Sequence, residues 1–324
     1  MKLRQFSQER IVLALAVILF VVFSLTLPHF VDPKNLLTLL RNVAVLGILG
    51  LAMVITVIGR GIDLSLIANM TISVAWSFAL ANAGVNLWLA IILGLGFALI
   101  MGLISGILIA YAEIPPLFAT LAMGIFIYGL GRSQLIEGTD VVYLSQHISW
   151  LKYLGQGVIF GIPSEILIAA AIAIVMFILL RYTKMGRFIY AMGDNFAAAR
   201  IAGVPVRIIL VFQYVIAGSL AFLAGIITAT SISEINTRIV SSNLIYDVIL
   251  VVVLGGVSLS GGKGGVRNVL VGTLLIGILM SGMTIMDLQD TVQDLIKGLI
   301  LLAALIIDSL INPRDEQTAQ QGDI

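Results

Sequence analysis

The sequence predicts an all-α membrane protein, a polytopic bundle of about ten transmembrane helices. Three observations carry that prediction. First, 60% of the 324 residues are hydrophobic and 11% are charged, against about 25% charged in a soluble domain, and the mean hydropathy is +1.12. Second, residues 64–112 contain no Asp, Glu, Lys or Arg. One helix of that length would run roughly 74 Å, so the segment must fold back within a hydrocarbon core of about 30 Å. Third, apolar stretches of about 20 residues, the length of a crossing helix, recur along the whole chain. Only helices and closed barrels satisfy the backbone in hydrocarbon, and strand-length alternation is absent. One integral domain, 1–311, is expected, followed by a polar tail, 312–324.

The spans are expected at 11–27, 36–58, 64–80, 87–110, 115–131, 164–181, 207–231, 243–260, 267–286 and 292–311. Lys2, Arg4 and Arg10 precede the first. That order resembles a signal peptide, but no small-x-small cleavage site follows, so it reads as an uncleaved span. The third and fourth spans join through "ANAGVN", 81–86, with Trp76 and Trp88 as interfacial anchors on either side. The fifth opens on "PPLFATLA", 115–122, where the residue before a proline avoids helix. With a cytoplasmic N-terminus, twelve Lys and Arg fall inside and six outside. The positive-inside rule then places both termini in the cytoplasm and an even number of spans between them. Loop 182–206 is the longest on the cytoplasmic side and 132–163 the longest on the other. Gly94, Ala98, Gly102 and Gly106 recur every four residues, as do Ala217, Ala221 and Gly225. Small residues at this spacing let membrane helices approach closely.

Several functions are excluded early. A net charge of +1 and no basic stretch with interleaved aromatics give no reason to expect nucleic acid. There is no cysteine, and His29 and His147 share no metal-ligand spacing, so no metal site is expected.

Residues 255–265 read "GGVSLSGGKGG". A phosphate loop needs Gly, four residues, Gly-Lys and then Ser or Thr, between a strand and a helix. Here the first position is Val257 and the last is Gly264, so the motif fails. Gly255, Gly256, Gly261, Gly262 and Gly264 are instead read as a sharp turn or a hinge. "IGRGIDLSL", 58–66, is a second glycine-rich break. Gly61 permits it, and Asp63 can cap the next helix with Ser65 in its first turn; a direct gating role is the other reading. In "RFIYAMGDNFAAARIAGVP", 187–205, Asp194 or Asn195 can cap a short helix at 196–202 that Gly203 ends and Pro205 prevents from continuing. With Phe196, Ala198 and Ala199 and only Arg200 charged, it is too apolar for a free surface helix. It either lies on the membrane or docks in a partner's groove, with Phe196 as anchor and Arg200 facing an acid. Asn69, Thr71, Thr120, Gln213 and Tyr214 sit within or beside spans. They could line a polar pathway, or simply bond neighbouring helices.

Taken together, "GIDLS" at 61–65, "IPPLFATLA" at 114–122, "GRFIYAMGDNFAAARIAGV" at 186–204 and "VVVLGGVSLSGGKGG" at 251–265 resemble the permease subunit of monosaccharide importers of the ATP-binding-cassette class, the ribose, xylose and galactose type. The order and spacing match over nearly the whole chain. Arg60-Gly61 stands where the family usually has Gly-Gly, and Ser65-Leu66-Ile67 where it has Ser-Val-Gly. The resemblance implies a type II importer fold in the bacterial inner membrane. It also implies a second permease subunit, a separate ATPase subunit that holds ATP and magnesium, and a periplasmic sugar-binding protein. The chain itself would carry no cofactor and catalyse nothing, and 194–203 would couple it to the ATPase. Nucleosides, a furanosyl signalling molecule and branched-chain amino acids are alternative solutes. An ion-coupled secondary transporter is disfavoured because acids are nearly absent from span interiors.

Overall fold

The computed structural model describes residues 8–144 and 151–311. The expectations for Lys2, Arg4, His147 and the 312–324 tail lie outside them. Thirteen helices follow one another among the described residues: α1 (Gln8–Thr26), α2 (Pro33–Ile58), α3 (Leu66–Asn82), α4 (Leu87–Ala110), α5 (Pro116–Leu130), α6 (Tyr153–Gln156), α7 (Ser164–Tyr182), α8 (Lys184–Asp194), α9 (Phe196–Ile201), α10 (Val206–Ile232), α11 (Leu244–Leu254), α12 (Val266–Ile285) and α13 (Asp290–Ile311). Each expected span overlies one of them. Six (α1, α2, α4, α7, α10 and α12) are long and apolar enough to cross a membrane by themselves.

Span eight needs correction. Helix was expected over 243–260, but α11 stops at Leu254 after 11 residues, a rise of about 16 Å and half of a ~30 Å core. The glycines that follow end it, so any crossing here is completed by non-helical chain. Ser65 also sits differently from expectation. It lies just ahead of α3 and not in its first turn.

The centre of the bundle is α2, α3 and α10. Every residue from Leu46 to Ile58 is buried, and α10 buries Gln213, Tyr214, Ala217, Ala221 and Gly225 along one side. Hydrophobicity cannot sort helices in a solvent that is itself apolar, so close packing must do so. A Cβ on Gly102 would collide with the Tyr214 carbonyl of α10, and one on Gly106 would lie 2.6 Å from Val211 Cα. From the other side, a Cβ on Gly218 would lie 2.6 Å from the Ala98 carbonyl oxygen. Gly102 and Gly106 of α4 with Gly218 of α10 therefore form the seam between those helices, whereas Gly94 and Gly225 pack on α3. Helix α1 is peripheral and packs Phe20 and Phe23 edge-on against Phe30.

The turn between α3 and α4 follows the sequence reading. Gly84 adopts φ +90°, and Asn86 caps α4 by accepting the Trp88 and Leu89 N–H groups. The long connection after α5 takes part in structure that composition did not suggest, two small antiparallel ribbons, one of them completed by the segment after α10. β1 (Val141–Tyr143) pairs with β4 (Glu234–Asn236), with Val142 opposite Ile235. β2 (Val158–Ile159) and β3 (Ile162–Pro163) form a hairpin around Phe160 and Gly161, both at positive φ, as a tight two-residue turn requires.

Candidate functional site

Three segments far apart in sequence meet at one end of the bundle: the break 59–65 between α2 and α3, residues 193–195 at the end of α8 and the cap of α9, and the break 255–265 between α11 and α12. Backbone groups make the junction. Gly262 N–H donates to the Ile58 carbonyl at 2.9 Å. Arg60, at φ +68°, reaches across to the carbonyls of Gly193 (Nε, 2.7 Å) and Asp194 (Nη2). A Cβ on Gly193 would strike the Ile58 carbonyl. One on Gly261 would sit 2.8 Å from Gly193 O, and one on Gly262 would sit 2.8 Å from Asp194 N. The surfaces touch backbone to backbone, so only glycine fits.

The 255–265 turns use their glycines in two ways. Gly256, Gly261, Gly262 and Gly264 have φ between +71° and +106°, the left-handed region glycine enters without penalty. Gly255 has an ordinary φ, but a Cβ there would strike the Asn268 carbonyl. Tyr190 on α8 closes the far side by donating to the Gly264 carbonyl at 2.7 Å.

Ahead of α3, Asp63 is buried at 3% exposure. Its Oδ1 accepts the Ser65 N–H (2.9 Å) and the Ser65 hydroxyl (2.6 Å), a local turn that aims the chain into α3. Burial pushes its carboxyl up to about 6, although the Ser65 bonds work the other way. Thr120 of α5 accepts the Leu64 N–H at 3.1 Å and lies within reach of the Ile62 and Pro116 carbonyls. Gly61 is needed because a Cβ would collide with the Tyr214 hydroxyl.

The polar residues read as pathway candidates are all buried within this chain. Gln213 donates to the Ile55 carbonyl at 2.7 Å and Asn69 to the Ala98 carbonyl at 3.1 Å. These bonds tie α10 to α2 and α3 to α4. Thr120 joins α5 to the 59–65 break. Asn69 Oδ1, Thr71 Oγ1 and the Tyr214 hydroxyl have no hydrogen-bond partner among the described residues. The five candidates therefore divide: Thr120, Gln213 and Tyr214 belong to the junction, whereas Asn69 and Thr71 lie further along α3.

The short helix α9 forms as the sequence indicates. Asn195, not Asp194, is the cap, and its Oδ1 accepts the Ala198 N–H at 2.9 Å. Gly203, at φ +81°, ends α9, and Pro205 immediately precedes α10. Its faces are not those expected. Ala199 is buried, and Phe196 is half-buried against the protein's own core, so Ala199 is covered and Phe196 presents only part of its surface. The exposed residues of α9 are Ala197, Ala198, Arg200 and Ile201, and Ile201 is 88% exposed. Sequence reasoning missed Ile201, and it missed α8 altogether. The signal for α8 was present: Met185, Phe188, Ile189 and Met192 recur at helical spacing, and Thr183 caps the helix by accepting the Gly186 N–H at 3.1 Å.

Comparison with known proteins follows the same outline. Residues 35–305 match the family described as branched-chain amino acid transport system / permease component. The chain is 34% identical to the ribose import permease protein RbsC of Bacillus subtilis over 90% of this chain and 89% of that protein. It is 34% identical to the galactofuranose transporter permease protein YtfT of Escherichia coli, over 90% and 87%. It is also 33% identical to the L-arabinose ABC transporter permease protein AraH of Azospirillum brasilense, over 90% and 84%. No solved structure matches. The chain is a multi-pass membrane protein and belongs to this family of transport-system permease components.

Proposed function

We propose that the chain is the membrane-spanning subunit of an ABC importer for a monosaccharide. It works as one of two permease subunits, receives sugar from a periplasmic binding protein, and is driven by a separate ATPase that holds ATP and magnesium. The sugar assignment rests on the ribose, galactofuranose and L-arabinose names of its relatives. Ten spans with both termini cytoplasmic, in a bacterial inner membrane, agree with the charge count. So does the placement of the basic residues. Arg60, Lys184, Arg200, Arg207, Lys263 and Arg267 all lie at or beside the α9 end of the bundle. Arg132 and Arg238 lie at the β1–β4 end.

One observation carries the mechanism. The α8–α9 segment is hydrogen-bonded to both glycine-rich breaks: Arg60 reaches the Gly193 and Asp194 carbonyls, and Tyr190 donates to the Gly264 carbonyl. A force applied to α9 therefore reaches α2, α3, α11 and α12 without passing through a loose loop. The ATPase would hold the exposed residues Ala197, Ala198 and Ile201, beside Asp194, Asn195 and Gly203. A push there shifts Gly193 and Asp194, and with them Arg60, Gly261 and Gly262. The movement then reaches Asp63 and Ser65 at the head of α3, and Gly255, Gly256 and Gly264 beyond.

The test is uptake of labelled sugars into vesicles that contain this chain, its ATPase and its binding protein, with and without ATP. ATP-dependent accumulation of a monosaccharide is expected. A leucine and nucleoside arm covers the other solutes. Uptake driven by an ion gradient without ATP would replace this reading with a secondary transporter.

A further inference from the structure

A cleft of about 530 Å³ opens beside α9, between the end of α4, the start of α5 and the start of α10. Its size is that of a small-molecule site, ~300–1,000 Å³. Its walls are of two kinds. The inner walls are apolar and include Ile109, Ile114, Phe196, Val204 and Leu210. Its charged lining is Arg60, Arg200, Arg207 and Glu113, an excess of positive charge. Glu113 is already held by Arg207 at 3.0 Å, and the Arg207 guanidinium also lies over the Tyr111 ring at 5.5 Å. Arg60 is held by backbone carbonyls. Arg200 is exposed and makes no ion pair among the described residues. The N-terminal ends of α5 and α10, at Pro116 and Val206, line the same cleft, and each adds positive potential.

The surroundings say where the cleft sits. On the side away from α9, Phe118 (63% exposed) and Ile208 (60%) continue into an exposed apolar belt of α4, α5 and α10, the surface a bilayer covers. The cleft thus has arginines at the level of the membrane face and an apolar interior that adjoins the acyl region. A ligand matching both must be amphipathic and negatively charged. A sugar has no tail, and a soluble anion would leave the apolar walls unfilled. We infer that this cleft binds one anionic phospholipid of the leaflet facing α9, with its phosphate against Arg200 and Arg207 and an acyl chain along Ile109, Ile114 and Leu210. A lipid seated there touches Phe196 and so abuts the buried face of α9, which makes the coupling segment sensitive to the charge of the membrane.

The experiment is native mass spectrometry of the purified full-length chain in detergent. It is titrated in parallel with phosphatidylglycerol and phosphatidylcholine of identical acyl chains. Retention should favour phosphatidylglycerol. Arg200→Gln, which breaks no ion pair of the fold, should lower that preference about fivefold, as one basic side chain does at an anionic surface. Arg132→Gln at the opposite end should leave it unchanged. Inorganic phosphate at millimolar concentration should not displace the lipid; displacement would mean a soluble-anion site. In the assembled transporter, a photoreactive side chain at Ile208 should label phospholipid. Equal retention of the two lipids, an unchanged preference in Arg200→Gln, or labelling of only the ATPase or a second permease copy would each overturn the inference.

Discussion

The two ends of the bundle are held together by different chemistry. At the α9 end, the junction of 59–65, 193–195 and 255–265 is backbone against backbone, with glycines wherever a Cβ would collide. At the other end side-chain charges are added to the short β1–β4 backbone ladder. Asp140 bridges Arg132 and Arg238, each at 2.7 Å. Lys297 of α13 joins Asp247 of α11 at 2.9 Å and Asp294 at 3.0 Å. The Lys297–Asp247 pair is largely buried and holds α13 to α11. The Asp140–Arg238 pair reaches solvent, contributes little and tolerates movement, because water replaces either partner. A glycine contact has no such freedom. A small displacement opens or closes it, which suits a joint that must pass on motion. We read the first end as the transmission and the second as a frame.

That contrast can be broken most severely at Gly262. Gly262→Val places a branched side chain 2.8 Å from Asp194 N at φ +71°. It should cost about 2–5 kcal/mol from overpacking and left-handed strain together, and abolish uptake. Gly84→Ala is the matching change at the other end, in open space at φ +90°. Only the left-handed cost of about 1–2 kcal/mol applies there, and uptake should survive. Uptake assays and thermal stability of the purified chain compare the pair. Equal behaviour would mean that the junction yields as readily as a surface turn.

Next in size is the α4–α10 seam, which supports the joint from behind. Gly102→Leu drives a side chain into the Tyr214 backbone. It should lower the amount of assembled protein well below that of Leu103→Ala, since Leu103 is 41% exposed. Size-exclusion profiles of the two variants provide the check.

Asp63 offers a subtler test. Its carboxyl, ordinarily near 3.8, is pushed up to about 6 by burial. A carboxyl raised in the folded state destabilises when ionised, so the cost is complete at pH 7 and disappears as pH falls towards 4. The purified wild type should gain stability between pH 7 and 5. Asp63→Asn, which keeps an acceptor for the Ser65 N–H and hydroxyl, should lose that pH dependence and still transport. Melting curves at the two pH values decide it. The smallest effect is expected at the frame: Asp140→Asn should leave uptake and assembly close to wild type.

Legibility in the sequence differed between these regions for physical reasons. The apolar runs place nine of the ten expected helices to within a few residues, because bilayer thickness limits the length of such runs. The glycine clusters and the Asn195 cap were visible too, since local backbone demands write themselves into local residues. What could not be seen was contact between segments. Nothing in 58–65 or 255–265 alone says that Arg60 will bond the carbonyls of Gly193 and Asp194. The direction of α9 was equally hidden. Six residues are under two turns, too few for a periodic pattern to mark a face, and the aromatic Phe196 drew attention from Ile201. The end of α11 at Leu254 was masked because apolar residues continue past Gly255, and hydropathy does not register a backbone that has stopped being helical.

The central claim is that the outward face of α9 receives the ATPase and passes its motion to the glycine junction. Ile201→Asp tests it most directly, because that side chain is 88% exposed and the fold does not depend on it. The measurement is affinity of the ATPase for the purified permease, read with sugar-stimulated hydrolysis in the same preparation. The account predicts that binding falls by about 2 kcal/mol, some 30-fold, and that stimulation is lost while the chain remains inserted and folded. If Ile201→Asp binds the ATPase and couples hydrolysis to sugar as the wild type does, α9 is not the transmission.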